Sequence, residues 1–248
     1  MTKPFTLHIL DSPESFNQFG ARLLTELAQE AVAQRNRFNI ALSGGGTPAS
    51  IYKLWGERPY RDQMPWQQTH LFWGDERLVP PDDPGSNFRQ INTLLLKNVP
   101  IPKENIHRAK GEYAVETAVA DYTTQLKTIA QAGAPPIFDV VLLGMGSDGH
   151  TASLFPGSPP QQSEWVVSVT VNYDGRPAQR ISLTPTIINC ARHIIFLVSG
   201  GSKATMLQNV LYGPYQPDRL PAQRIQPTHG TLIWVLDTAV AQNLIHPS

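Results

Sequence analysis

The apolar positions along this chain recur with two alternating spacings, and the alternation lays out a fold. Phe5 to Leu10 is a short extended run. Ser12 then suits a helix cap and Pro13 a first helical turn, and Phe16, Phe19, Leu23, Leu24, Leu27, Ala28 and Ala31 keep helical spacing to about Gln34. Phe38 to Leu42 predicts the next strand, which runs into Ser43, Gly44, Gly45, Gly46, Thr47 and Pro48 before a helix through Ile51, Tyr52 and Leu54. Thr69 to Trp73 predicts a third strand. A loop rich in proline and aspartate follows, then a helix from near Ser86 and another from about Val115 to Ala132.

Phe138 to Leu143 is apolar at every position after Asp139, the pattern of a strand buried on both faces. Trp165 to Val171 alternates, as a half-buried or edge strand does. Arg180 to Leu183 predicts another short extended piece, and Pro185 to Cys190 a helical turn. The strand His193 to Val198 opens through Ser199, Gly200, Gly201, Ser202 and Lys203 into a helix reaching about Leu211. A proline-rich loop, Pro214 to Pro227, precedes a last strand, Thr231 to Val235, and a terminal helix. Strands and helices alternate throughout, which predicts one α/β domain on a doubly wound, mostly parallel sheet with right-handed crossovers.

Composition narrows the class. Hydrophobic residues are 41% of the 248, enough for a full core. Twenty basic residues balance twenty acidic ones, so no bulk field favours nucleic acid or an anionic membrane, and an anionic ligand needs locally placed cations. The single cysteine, Cys190, rules out an internal disulfide and any multi-cysteine metal site, and its apolar setting predicts a buried small hydrophobe. The seven histidines are scattered with no pair at ligand spacing, so no metal is expected. The opening MTKPFTLHIL has no secretory pattern and no stretch reaches the roughly 18 apolar residues of a membrane span, which predicts a soluble cytoplasmic protein.

The chemistry concentrates where strands end. Three strands run into glycine-rich turns: Ser43 to Pro48, Gly144 to Gly149, and Ser199 to Lys203. A turn after a buried strand is where open α/β sheets place ligands. The first and third turns open helices, whose free N–H groups and dipole suit phosphate, although neither has the spacing of a dinucleotide fingerprint or a P-loop. One such turn alone could be a tight connection and nothing more. Two of them, one ending in Lys203, point to phosphate, because a cation is disfavoured at a helix N-terminus unless an anion offsets it.

His150 closes the central turn, after Gly146, Ser147, Asp148 and Gly149. Its imidazole titrates near ~6.5 in free solution, so it is the candidate base. Asp75, Glu76 and Arg77 follow the third strand and so belong on the same sheet edge. A carboxylate there could orient the imidazole or hold a sugar hydroxyl, and an arginine could clamp substrate or stabilise an oxyanion. The alternative for these three is a surface ion pair of little worth, and for Arg180 a solvated surface position. The residues alone thus predict an enzyme acting on a small phosphorylated molecule with His150 as base.

The segments ALSGGGTP (41–48), WGDERLVPPDDPGSN (73–87), LLGMGSDGHTASLFPG (142–157) and LVSGGSKA (197–204) resemble the 6-phosphogluconolactonases, within the superfamily of glucosamine-6-phosphate deaminase and ribose-5-phosphate isomerase. The resemblance implies a modified Rossmann-like sheet and cofactor-free hydrolysis of 6-phosphoglucono-δ-lactone, a step of the oxidative pentose phosphate pathway. It implies that His150 deprotonates the attacking water and that Arg77 or backbone N–H groups near Gly44 or Gly149 stabilise the oxyanion. Asp75 would hold hydroxyls or position His150. The 6-phosphate would lie among Gly45, Gly46, Thr47, Arg180 and Lys203, with Gly44 in the same loop.

Two other functions are known in the same superfamily. Deaminases of the superfamily carry an asparagine and a glutamate beyond the histidine, where this chain has Thr151, Ala152, Ser153, Leu154 and Phe155, so no deaminase activity is expected. Transcriptional sensors of the superfamily carry an added DNA-binding region, for which this chain shows no spare segment and no basic patch. The expected partner is a small sugar phosphate lactone, with no nucleic acid and no membrane, on a monomer or weak homodimer.

Overall fold

The computed structural model describes residues 4–130, 134–159, 163–173 and 175–245. Seven strands form one parallel sheet: β1 (Thr6–Leu10), β2 (Phe38–Leu42), β3 (Thr69–Trp73), β5 (Ile106–His107), β6 (Val140–Leu143), β9 (His193–Val198) and β10 (Thr231–Asp237), in the spatial order β1-β10-β9-β6-β2-β3-β5. From β2 the chain crosses to β3 on one side, and from β6 it crosses to β9 on the other. The gap between β2 and β6 is therefore a topological switch point, where open α/β sheets hold ligands.

The residues of β6 explain its central place. Val140 and Leu142 join one hydrophobic core, and Val141 and Leu143 join the other. Period-two alternation between two apolar layers is what a continuous apolar run requires, and it sets the strand between helices on both faces. One layer is covered by α1 (Pro13–Arg35), α2 (Gly46–Trp55) and α4 (Asn87–Leu94), through Phe16, Leu24, Ile51 and Ile91. The other is covered by α5 (Val115–Lys127), α7 (Ala204–Tyr212) and α8 (Thr238–Ile245), through Ala118, Tyr122, Leu207 and Val240. Two four-residue helices, α3 (Tyr60–Gln63) and α6 (Pro185–Ile188), complete the helical elements named here.

Strand and helix bounds agree with the sequence reading to within a few residues, with exceptions that have physical causes. The helix expected to reach Ala132 ends at Lys127, and the last two positions of the predicted range, 131–132, lie outside the described residues. Asp75–Arg77, expected only to follow the third strand, forms its own strand β4, which pairs antiparallel with β8 (Gln179–Leu183). β8 pairs in turn with β7 (Val166–Thr170), the predicted edge strand, in a second sheet of order β4-β8-β7. Gly74 makes the transfer: its N–H donates to Leu42 O of the main sheet and its carbonyl accepts from Leu183 N of the small one. Cys190 is half-buried, and its thiol donates to Thr186 O at 3.2 Å, so it is not the fully buried hydrophobe expected.

Two buried tyrosines finish β2, which feeds the first glycine turn, and β3, which feeds β4. Tyr52 Oη donates to Ser43 O at 2.7 Å and accepts from Ser43 N at 3.1 Å. Tyr122 Oη does the same for Trp73, donating to O at 2.6 Å and accepting from N at 2.7 Å. Each phenol thereby satisfies a peptide just where a strand leaves the ladder and would leave a buried group unpaired.

Candidate active site

Because the main-sheet strands are parallel, the turns after β2, β6 and β9 emerge on one edge, and β4 begins there too. They enclose a cavity of about 290 Å³ lined among others by Gly44, Gly46, Thr47, Asp75, Arg77, His150, Arg180 and Lys203. Gly45 lines it too, whereas Gly149, an expected oxyanion donor, does not, and its N–H donates to Gly146 O at 3.1 Å; Glu76 is likewise outside the lining. A second cavity of about 340 Å³, between α7 and β10, is lined mainly by apolar residues such as Val210, Leu232 and Trp234. Its lining holds no carboxylate, imidazole or cation.

His150 is set by the turn it closes. Its Nδ1 lies 2.6 Å from Asp148 Oδ1, which also accepts from the His150 backbone N–H at 3.1 Å. An ionised carboxylate can only accept, so Nδ1 carries the proton and Nε2 keeps the lone pair. Burial is the largest single influence on Asp148 and opposes its ionisation, but the side-chain hydrogen bond and charge of His150, together with backbone N–H donors, outweigh it and leave its carboxyl below the usual range. Phe155 stacks on the imidazole at 4.5 Å between ring centroids, and Tyr173 meets it edge-on at 4.8 Å. Gly146 is required by proximity, since a Cβ there would lie 2.1 Å from His150 Nδ1. Gly149 adopts φ +82°, a conformation glycine takes without strain.

Asp75 does not orient the imidazole; Asp148 does. Asp75 is 7% exposed, its Oδ2 accepting from Ser153 Oγ at 2.6 Å and its Oδ1 from Asn87 Nδ2 at 3.3 Å. Glu76 is 1% exposed and accepts from the backbone N–H groups of Arg77, Asn87 and Phe88 and from Ser86 Oγ. Burial pushes its carboxyl up to about 7, against those backbone donors, which favour the charged form. Neither acid is the surface ion pair considered from sequence.

Arg180 is 2% exposed, so the solvated position considered for it is not the one it takes. It sits directly across from Arg77 in the β4–β8 register and 5.2 Å over the Phe155 ring. Like charges directly opposed across a strand pair repel, and burial together with Arg77 lowers the Arg180 pKa. Arg180 Nη2 and Arg77 Nε are both buried without a hydrogen-bond partner. Two facing guanidinium groups with unused donors form a place for an anion.

The turn after β2 opens α2. Its N-cap, Gly45, has φ +109° and supplies no side-chain cap. The Gly45 N–H donates to Gln90 Oε1 at 3.0 Å, so this amide, expected among the anion donors, is already engaged. Gly46 and Thr47 occupy the first helical positions, whose N–H groups have no acceptor within the helix. Gly44 is needed sterically: a Cβ there would fall 1.9 Å from Asn87 Oδ1. Thr47 Oγ1 meets Ser199 Oγ at 2.9 Å, bridging the first and third glycine turns. Lys203 ends a short 3₁₀ turn that leads into α7, where burial lowers its pKa and Asp237 opposes that effect.

Sequence reasoning missed Asp148, Asn87, Gln90 and Ser153. Asp148 carried a usable signal, an acid two residues before the histidine in a glycine-framed turn. The loop 214–227, left unassigned from sequence, packs against this turn, with Ala222 N–H donating to Gly149 O at 3.0 Å. Among the described residues no group of three or more His, Cys, Asp or Glu side chains could hold a metal ion.

The chain is similar in sequence and fold to known proteins. The model of the family described as glucosamine-6-phosphate isomerases/6-phosphogluconolactonase matches residues 11–234. Similar curated proteins include a 6-phosphogluconolactonase of Synechocystis sp., 41% identical over 230 residues, covering 89% of this chain and 90% of that protein. Another is a 6-phosphogluconolactonase of Haemophilus influenzae, 38% identical, covering 88% and 94%. Among solved structures, the 6-phosphogluconolactonase of Trypanosoma brucei superposes with a TM-score of 0.85 at 28% identity, covering 98% of this chain and all of that one. A monomeric glucosamine-6-phosphate deaminase superposes at 0.82 with 21% identity, a likeness of fold alone. The chain belongs to the glucosamine-6-phosphate isomerase/6-phosphogluconolactonase family.

Proposed function

We propose that this protein hydrolyses 6-phospho-D-glucono-1,5-lactone to 6-phospho-D-gluconate by histidine-activated attack of water, without a cofactor. The observation that carries this reading is His150, paired with Asp148 at 2.6 Å, in the lining of a cavity that Arg77 and Arg180 also line.

His150 Nε2 takes a proton as the water oxygen bonds to the lactone carbonyl carbon, and the carbonyl electrons move to its oxygen. Arg77, held by donation from Nη1 to Gly85 O at 2.6 Å, stabilises that oxyanion. The intermediate collapses, the bond to the ring oxygen breaks, and the imidazolium returns its proton to that oxygen. Asp148 stabilises the imidazolium between the two transfers. The phosphate takes the amides of Gly46 and Thr47, the Lys203 ammonium and Arg180, while Gly44 and Gly45 give the loop its shape. Asp75, held by Ser153 and Asn87, faces the sugar hydroxyls.

The test is hydrolysis of freshly made 6-phosphoglucono-δ-lactone against its spontaneous background. Wild type should be fast, and His150→Ala should lose roughly 10²–10⁴-fold, as loss of a general base predicts. A wild type no faster than background would overturn the reaction; a fast His150→Ala would overturn the base.

A further inference from the structure

Gln90 lies on α4, outside the cavity, yet it grips the peptide that begins the phosphate loop. Its Nε2 donates to Gly45 O at 3.1 Å, and its Oε1 accepts from Gly45 N–H at 3.0 Å. A carboxamide paired with both polar groups of one residue fixes that residue's peptide orientation. Gly45 needs this, because it has positive φ and α2 has no side-chain cap. The grip also points the chain so that the next two amides, Gly46 and Thr47, remain free to face the cavity.

The same helix holds the other half of the site. Asn87, three residues earlier and so on the same helical face, donates from Nδ2 to Asp75 O at 2.9 Å and lies against Gly44. The N-terminus of α4 is itself fixed: Ser86 caps it by accepting from Arg89 N–H, and Glu76 accepts from Asn87 and Phe88 N–H at 2.7 Å each. Helix α4 is thus tied at one place to the strand bearing Asp75 and Arg77 and at another to the glycine loop. It sets the span between the anion-binding amides and the groups that meet the rest of the substrate.

We infer that Gln90 is the positioning residue of the phosphate loop, and that it acts on recognition of the phosphate and not on the hydrolytic step. This rests on the placement of the 6-phosphate proposed above. The residue touches neither substrate nor reacting atoms; it acts through Gly45.

The experiment compares wild type with Gln90→Leu, which removes both bonds at similar volume, and Gln90→Glu, which keeps the acceptor for Gly45 N–H but loses the donor. Each is assayed on 6-phosphoglucono-δ-lactone and on unphosphorylated glucono-δ-lactone, and for inhibition by inorganic phosphate. Gln90→Leu should raise KM for the phosphorylated lactone about tenfold, as two lost hydrogen bonds allow, and weaken phosphate inhibition in step. Its kcat, and its kcat/KM on the unphosphorylated lactone, should hold. Gln90→Glu should fall between the two. Equal losses on both lactones, or no change on either, would overturn the inference. If wild type fails to hydrolyse the phosphorylated lactone, the proposed reaction falls, and phosphate binding by wild type and Gln90→Leu still decides the role of Gln90. Should Gln90→Leu fail to fold, the lost donor in Gln90→Glu carries the same comparison.

Discussion

Thr47 Oγ1 and Ser199 Oγ lie 2.9 Å apart, joining two strand-to-helix turns that are 152 residues apart in the chain. Each hydroxyl lies in a turn that leads into a helix, at the end of the cavity proposed above for the phosphate. Their bond holds the turns after β2 and β9 together across the central β6.

Removing one hydroxyl should therefore loosen phosphate recognition without touching the base. Thr47→Val keeps the shape and loses the bond, worth about 0.5–1.5 kcal/mol. The expected outcome is a rise in KM of roughly two- to tenfold with kcat nearly unchanged, read from steady-state hydrolysis. A fall in kcat with constant KM would contradict the assignment of these turns to the phosphate.

Asp148 fixes the proton on His150 Nδ1, so Asp148→Asn should cost rate and not substrate affinity. An amide can present its NH₂ to the ring and select the wrong tautomer, a change that costs about 10⁴-fold in a comparable triad. The expected loss in kcat is at least about tenfold and at most of that order. Proton NMR of the imidazole should show the Nδ1-bound proton in wild type and its loss in the variant.

Gly146→Ala should act through distance alone. The new Cβ would meet His150 Nδ1 at 2.1 Å, so the imidazole must move. A displacement of about 1 Å costs on the order of 10²-fold in rate. Activity should fall to that extent while circular dichroism stays native; an unaffected rate would show that the ring need not stay in this place.

Stability should weaken on mild acidification through a second histidine pair. Arg37 Nη2 can only donate, so His70 Nδ1 accepts from it at 3.1 Å and accepts also from His107 Nε2 at 3.1 Å. Burial first, and the Arg37 charge second, push both imidazoles down to about 4. The unfolded chain, with ordinary imidazoles near ~6.5, binds more protons between those values. Stability is thus fully present above about pH 6.5 and is lost as pH falls toward about 4. Urea midpoints at pH 7 and pH 5 should differ less in His107→Gln than in wild type; an equal difference would remove this pair from the acid response.

The sequence disclosed six of the seven main-sheet strands because each is a largely apolar run, and β2, β3, β6 and β9 reach a glycine directly or after one serine; β5, only two residues long, shows no period and was not read, whereas β6 reads as buried on both faces from Val140 to Leu143 alone. It disclosed His150 and Lys203 because turns and helix starts are local features. It hid β4, since three residues, Asp75 to Arg77, are too few to show a period, and their pairing with β8 spans about a hundred residues. The burial of Glu76 and Arg180 was hidden for the same reason: a charged residue reads as exposed until its tertiary setting is known. Gln90 was invisible as a partner of Gly45, because a long-range carboxamide contact leaves no spacing pattern.

The wedging of β6 between two apolar layers has a mechanical consequence for the reaction. Its side chains lock alternately into opposite cores, so the strand cannot shift toward either face without opening a void in the other. The turn bearing Asp148 and His150 grows from this least compliant part of the molecule. In the hydrolysis proposed above, the imidazole dipole would be aligned before the lactone arrives, and the charge moving during attack would meet a setting that needs little reorganisation.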